Sequence, residues 1–247
     1  MKIGFIGAGN MATALATGIG EPALVSDVVP GRAQALAKEL GGEAVSSNAE
    51  LAERVDVVFL CHKPGGLAQI AEEIDADAVV SIVGGTAVAD VEAAYPGAAV
   101  YRFMPNIPAE VREGVLCYVR GGRASEGPEA EILELVGRVG IVIEVPDESM
   151  DAATALMGCA PAFYALVVEA MVDAGVRAGL QPADASRMAI ETMRGTATVL
   201  RETGGDTAGL RGRVTSPGGS TARGTAALER GGIRAAFSDA VDAVVRR

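Results

Sequence analysis

The residues best suited to chemistry stand at the start of the chain. Gly7-Ala8-Gly9-Asn10-Met11-Ala12 directly follows the apolar run Ile3–Ile6 and has the spacing G-x-G-x-x-A. The first glycine permits a tight turn, the second lets a diphosphate approach the backbone, and Ala12 lets a following helix pack close to a sheet. The first N–H groups of such a helix lack internal acceptors, so they and the helix dipole bind an anion. That pattern suits a dinucleotide, whose chemistry is hydride transfer. Asp27 lies about 20 residues beyond Gly7, where an acidic group accepts a hydrogen bond from the ribose 2′-hydroxyl and repels a 2′-phosphate. Ser26 and Arg32 have the opposite tendency, since both can contact a phosphate. On these residues alone NADPH and NADH both stay open as the cofactor. Cys61-His62-Lys63-Pro64 ends a further apolar run, and strand C-termini face the cofactor crevice in this architecture. Lys63 and Pro64 are candidates there, as are Val83 and Gly84 after the next run. His62 receives no role.

A second cluster lies near the other end, Val214-Thr215-Ser216-Pro217-Gly218-Gly219-Ser220-Thr221. Ser216 reads as a helix N-cap and Pro217 as the first helical residue. Gly218 and Gly219 expose backbone N–H groups without side-chain cover, and Ser220 and Thr221 add hydroxyls. Together these make an uncharged pocket suited to one carboxylate.

Composition excludes several other functions. The formal charge of −11 argues against nucleic acid and anionic lipid as partners. The single histidine makes a Ser-His-Asp triad or a multi-histidine metal site untenable, and no metal is expected. Cysteines 61, 117 and 159 form no CxxC pair, which points to a reducing compartment. No targeting segment and no apolar run near the roughly 18 residues of a membrane span is expected, so the chain reads as soluble and cytoplasmic.

The elements that must position these groups follow from hydrophobic periodicity. Strands are predicted at Ile3–Ile6, Leu24–Ser26, Val57–Leu60, Val79–Ile82, Val100–Met104, Leu116–Val119 and Ile141–Val145. Ala33, Leu36, Ala37 and Leu40 mark one apolar helix face. Alternating strands and helices predict a doubly wound parallel sheet of Rossmann type, covered on both sides, over residues 1–146. From Glu148 onward only helical spacing appears, as in Val167, Ala170, Met171, Ala174 and in Ile190, Met193, Ala197, Leu200. Residues 147–247 are predicted to be an all-helical domain. Its helices are apolar on more than one face, which predicts a homodimer.

The motifs together resemble the pyrroline-5-carboxylate reductases. The likeness rests on Gly7–Met11, on Lys63-Pro64, on Arg102-Phe103-Met104-Pro105-Asn106-Ile107-Pro108, and on Thr215–Thr221 followed by Gly231-Gly232-Ile233-Arg234. It spans almost the whole chain. The resemblance implies hydride transfer from NAD(P)H to the C=N carbon of pyrroline-5-carboxylate, giving proline, and together with Arg32 it favours NADPH as the expected cofactor, with NADH also usable. It implies that Thr221 hydrogen-bonds the ring nitrogen or relays its proton, that Val214, Ser216, Gly219 and Ser220 frame the carboxylate, and that Asn106 lies at the cleft between cofactor and substrate. It places Asn48 near the adenosine and draws the Thr215–Thr221 loop from a partner subunit of an interlocked dimer. Two departures stand out. Met157-Gly158-Cys159-Ala160-Pro161-Ala162-Phe163 replaces the family's S-G-S-G-P-A-[YF], and Asp206-Thr207 occupies the region of a His-Pro pair. They leave open a related cyclic imine as substrate, or a nucleotide sensor without turnover; the intact loop argues against the sensor. A β-hydroxyacid dehydrogenase is disfavoured because no lysine follows Lys63.

Overall fold

The computed structural model describes residues 1–245. Backbone contacts divide the chain into two compact units, Met1–Pro161 and Ala162–Arg247, the last two residues of which lie outside the described ones. The first unit is an eight-stranded sheet: β1 (Ile3–Ile6), β2 (Ala23–Ser26), β3 (Glu43–Ala44), β4 (Val57–Leu60), β5 (Ala78–Ser81), β6 (Ala99–Met104), β7 (Gly114–Arg120) and β8 (Gly140–Glu144). Its order is β3-β2-β1-β4-β5-β6-β7-β8. The chain reverses direction of growth after β3, so the crevice beyond the ends of β1 and β4 is where such sheets bind ligands.

Alternation along the strands feeds two cores, one on each face. Ile3, Phe5, Val57 and Phe59 join one cluster with Leu15, Leu36 and Ile132. Ile6, Val58 and Leu60 join the other with Leu51, Ile70 and Val91. Phe5 pairs with Phe59 in the β1–β4 register, with ring centroids 4.8 Å apart. Ala33, Leu36, Ala37 and Leu40 are all buried along helix α2 (Pro30–Leu40), as their spacing predicts.

One feature of the expected parallel sheet needs correction: β7 runs antiparallel to β6. Only Pro105–Glu113 joins them, and a parallel return needs a crossover of a dozen residues or more. β8 is again parallel to β7, reached through helix α6 (Glu129–Gly137).

The segment after Pro146 stays with the first unit up to Pro161. Met150 and Met157 are buried against Cys117 and Val119. Arg102, almost fully buried, forms an ion pair with Asp147, whose other oxygen accepts from the Val88 N–H. The helical path widens into a π turn over Thr154–Gly158. A wide turn frees backbone carbonyls, and such turns cluster at functional sites.

The expectation that no apolar run approaches membrane-crossing length also needs correction. Asp147–Arg177 is 31 residues of continuous helical path, and an 18-residue window in it has mean hydropathy 1.8 with 17% buried. By length and composition alone that suffices to cross a membrane. The second unit contains helices only, among the described residues: most of α8 (Ala160–Arg177), then α9 (Pro182–Glu202), α10 (Thr207–Val214), α11 (Ser220–Arg230) and α12 (Ile233–Val245), numbered after α7 (Met150–Ala153). The predicted apolar faces are present but uncovered, with Met171 and Ile190 about half exposed.

Candidate active site

Gly7 ends β1 at φ +105°, a region closed to side chains. A Cβ there would lie 2.7 Å from the carbonyl oxygen of Cys61. Gly7 is therefore required by both torsion and close approach. Gly9, the N-cap of helix α1 (Asn10–Ile19), has an ordinary negative φ, and a Cβ added to it would meet no atom within 4 Å. The helix start carries no side-chain cap, so its first N–H groups are available to an anion. The chain thus fits a diphosphate at this turn.

Gly7, Gly9, Asp27, Asn48 and Lys63 come together in one crevice of about 500 Å³. Ala8, Gly9 and Asn10 line an adjoining hollow of about 480 Å³, which shares Arg32 with the first. Met11 packs half-buried against the core. Pro64 is exposed, starting a short turn that Lys63 caps. Val83 is buried, and Gly84 is exposed beside it. Neither lies among the lining of the crevice.

Hydrogen bonding within the crevice is specific. Asp27 accepts from the Ala8 N–H through Oδ2 and from the Val29 N–H through Oδ1, both at 2.7 Å. Its carboxylate braces the glycine turn. The buried Ser26 hydroxyl donates to Asn48 Oδ1 at 2.6 Å, and Asn48 Nδ2 donates to Glu73 Oε2 at 2.6 Å. Gln69 Nε2 donates to Glu73 Oε1 at 2.9 Å. Glu73 and Gln69 lie on helix α4 (Leu67–Glu73), and sequence reading missed both. Nothing in a Gln–Glu pair on a polar helix face distinguishes it from ordinary surface.

His62 also lines the crevice. Burial lowers its pKa, opposed by the hydrogen bond between Nδ1 and the Lys63 carbonyl, so the ring is neutral near pH 7. Burial pushes the Cys61 thiol up, which removes thiolate chemistry there. Glu73 has one further neighbour: its charge, after burial, helps push the Tyr95 hydroxyl up to about 12.

Asn106 is buried rather than presented to a cleft. Its Nδ2 donates to the Met157 carbonyl in the π turn at 3.0 Å, and its Oδ1 accepts from the Val115 N–H at 2.9 Å. It positions backbone.

In the second unit the loop departs from its predicted form. Ser216 is not an N-cap and Pro217 is not helical. Helix α11 begins at Ser220 with Gly219 as N-cap. The reason is Gly218, whose φ of +68° breaks a right-handed helix. Ser216–Gly219 is instead a turn closed by the Gly219 N–H to the Ser216 carbonyl at 3.0 Å, with proline and a positive-φ glycine at its two central positions. A Cβ on Gly219 would lie 2.3 Å from Ser216 Oγ. Arg223 Nη1 donates to the Gly218 carbonyl at 2.7 Å and pins the turn. Val214, the last residue of α10, is exposed. Asp206, where the family carries a different pair, caps α10 by accepting from the Gly209 N–H at 2.8 Å. With no side-chain cap on α11, the first N–H groups of that helix and the hydroxyls of Ser220 and Thr221 belong to one short stretch of chain, the donor set a carboxylate needs.

Comparison with known proteins covers the whole chain. A family model described as pyrroline-5-carboxylate reductase dimerisation matches residues 147–247, and one described as NADP oxidoreductase coenzyme F420-dependent matches residues 2–85. A pyrroline-5-carboxylate reductase of Synechocystis sp. is 34% identical over 258 residues, covering 100% of this chain and 97% of that protein. The crystal structure of a Plasmodium falciparum pyrroline carboxylate reductase with NADP bound superposes with a TM-score of 0.88 at 28% identity, covering 99% of this chain and 95% of that one. The 1-pyrroline-5-carboxylate reductase of Streptococcus pyogenes gives 0.91 at 27% identity, covering 99% and 96%.

Proposed function

Because the chain belongs to the pyrroline-5-carboxylate reductase family, we propose that it reduces pyrroline-5-carboxylate to proline with NADPH. The observation that carries this reading is the presence in one chain of a diphosphate-sized turn at Gly7–Gly9 and an uncharged, N–H-rich loop at Thr215–Thr221. When bound, NADPH supplies the hydride that reduces the ring C=N carbon. The helix start after Gly9 would hold its diphosphate, and Lys63 would support the nicotinamide ribose or the substrate region. The Ser216 and Ser220 hydroxyls and the N–H groups after Gly219 hold the substrate carboxylate, with Val214 at the edge. The Thr221 hydroxyl holds the ring nitrogen. The imine enters protonated, so hydride addition yields the neutral amine without a strongly shifted general base. Orientation is then the main contribution of the protein. Asn106 contributes by fixing the Met157 carbonyl.

The dimerisation match supports assembly through the second unit, and the uncovered apolar helix faces support a second copy of this chain as their cover. The expected mass in solution is roughly 50 kDa or a multiple of it, twice the 25.0 kDa chain. Light scattering that gives a single chain for active enzyme rejects the dimer. We place the protein in the cytoplasm, whose reducing conditions suit its three free cysteines.

The function itself is tested by following NADPH absorbance with pyrroline-5-carboxylate. Substrate-dependent oxidation with stoichiometric proline is expected. The Met157 and Ala160 departures favour, as second reading, a related cyclic imine, and a panel of five- and six-membered cyclic imines separates the two.

A further inference from the structure

Two carboxylates, Asp27 and Glu73, line the crevice, and only one is committed to the backbone. Asp27, the residue a sequence motif would select, has each oxygen engaged by a backbone N–H. Glu73 is different. It is exposed, it lines the same crevice, and both its oxygens are held by side chains, Asn48 and Gln69.

The direction of the hydrogen-bond chain matters. Ser26 donates to Asn48, and Asn48 donates to Glu73. The Ser26 hydroxyl is thus spent on Asn48, and the Asn48 amide on Glu73. A 2′-phosphate entering here meets a fixed negative charge and finds the Ser26 proton already used. Arg32 and Lys63 line the crevice too, and neither has an ion pair among the described residues, so these cations attract that phosphate while Glu73 opposes it.

We infer that Glu73, acting through Asn48, sets the choice between NADPH and NADH. The inference rests on the dinucleotide reading above and deepens it. A phosphate monoester carries close to two charges at neutral pH. Removing one like charge from the same watery crevice is expected to favour the phosphorylated ligand by roughly tenfold.

The test is equilibrium binding, not turnover. Dissociation constants of NADPH and NADH are measured by nucleotide fluorescence, and those of 2′,5′-ADP and 5′-AMP by calorimetry, for the parent, Glu73→Gln and Glu73→Lys. The ratio Kd(NADH)/Kd(NADPH) is expected to rise about tenfold in E73Q and further in E73K. The 2′,5′-ADP to 5′-AMP ratio is expected to follow it, and raising salt is expected to shrink the gain. A merely structural glutamate would change both members of each pair alike. Unchanged ratios in both variants, with the parent binding both nucleotides, overturn the inference alone. A folded parent that binds neither nucleotide overturns the dinucleotide reading and the inference with it.

Discussion

Gly9→Val is expected to abolish NADPH binding while the protein stays folded. Gly9 has φ −78°, which valine adopts without strain, and no atom lies within 4 Å of a Cβ built there. The empty space is the approach to the start of α1, so the branched side chain would fill the path of a diphosphate. Two hydrogen bonds to a charged group, each worth about 1.5–3 kcal/mol, are lost. At about 1.4 kcal/mol per decade, that amounts to a loss of at least roughly 100-fold in affinity. Fluorescence titration with NADPH and NADH beside a melting curve checks it. Gly7→Val serves as the contrasting control. Its Cβ would meet the Cys61 carbonyl at 2.7 Å, and its φ is +105°, so that variant is expected to lose stability as well as ligand. Parent-like affinity in folded G9V would remove the turn from the cofactor site.

The second large effect is expected at Thr221. Its side chain stands in the first turn of α11, part-buried, just after the Ser216–Gly219 turn. Its carbonyl is engaged by the Thr225 hydroxyl, while its own hydroxyl makes no hydrogen bond among the described residues. Thr221→Ala removes one hydrogen bond to a charged group, about 1.5–3 kcal/mol. The expected fall in kcat with the cyclic imine is on the order of 10- to 150-fold, with the Kd for NADPH nearly unchanged. Thr221→Ser keeps the hydroxyl and is expected to recover much of the rate. Steady-state kinetics on both variants, with melting curves, decide it. An alanine variant as fast as the parent would reduce the loop to a helix start.

Much of the first unit was legible because its signals are local. A strand of alternating or continuous apolar residues needs only its own neighbours to be recognised, and the starts of β1 and β4 were found to the residue. The glycine turn was legible because its G-x-G-x-x-A spacing directly follows an apolar run, although the close approach that demands Gly7, to the Cys61 carbonyl, is long-range. In the second unit helical spacing was plain, yet Ser216-Pro217 misled. Serine and proline fit a helix start, but the positive φ of Gly218 moved that start to Ser220.

Sequence by itself determined the element types, the glycine turn after β1, the family likeness, and the lack of the second histidine that a multi-histidine metal site would need. The tertiary structure decided which groups meet across long separations. Asn48 and Glu73 are 25 positions apart, and Asn106 and Met157 are 51 apart. It also decided that Asp27 serves the backbone, and that β7 turns against its neighbour because Pro105–Glu113 is too short for a crossover. The physical reason is common to all of these. Backbone torsion and hydrophobic period are set by adjacent residues, whereas hydrogen-bond partners are assigned only when the sheet order brings distant segments together.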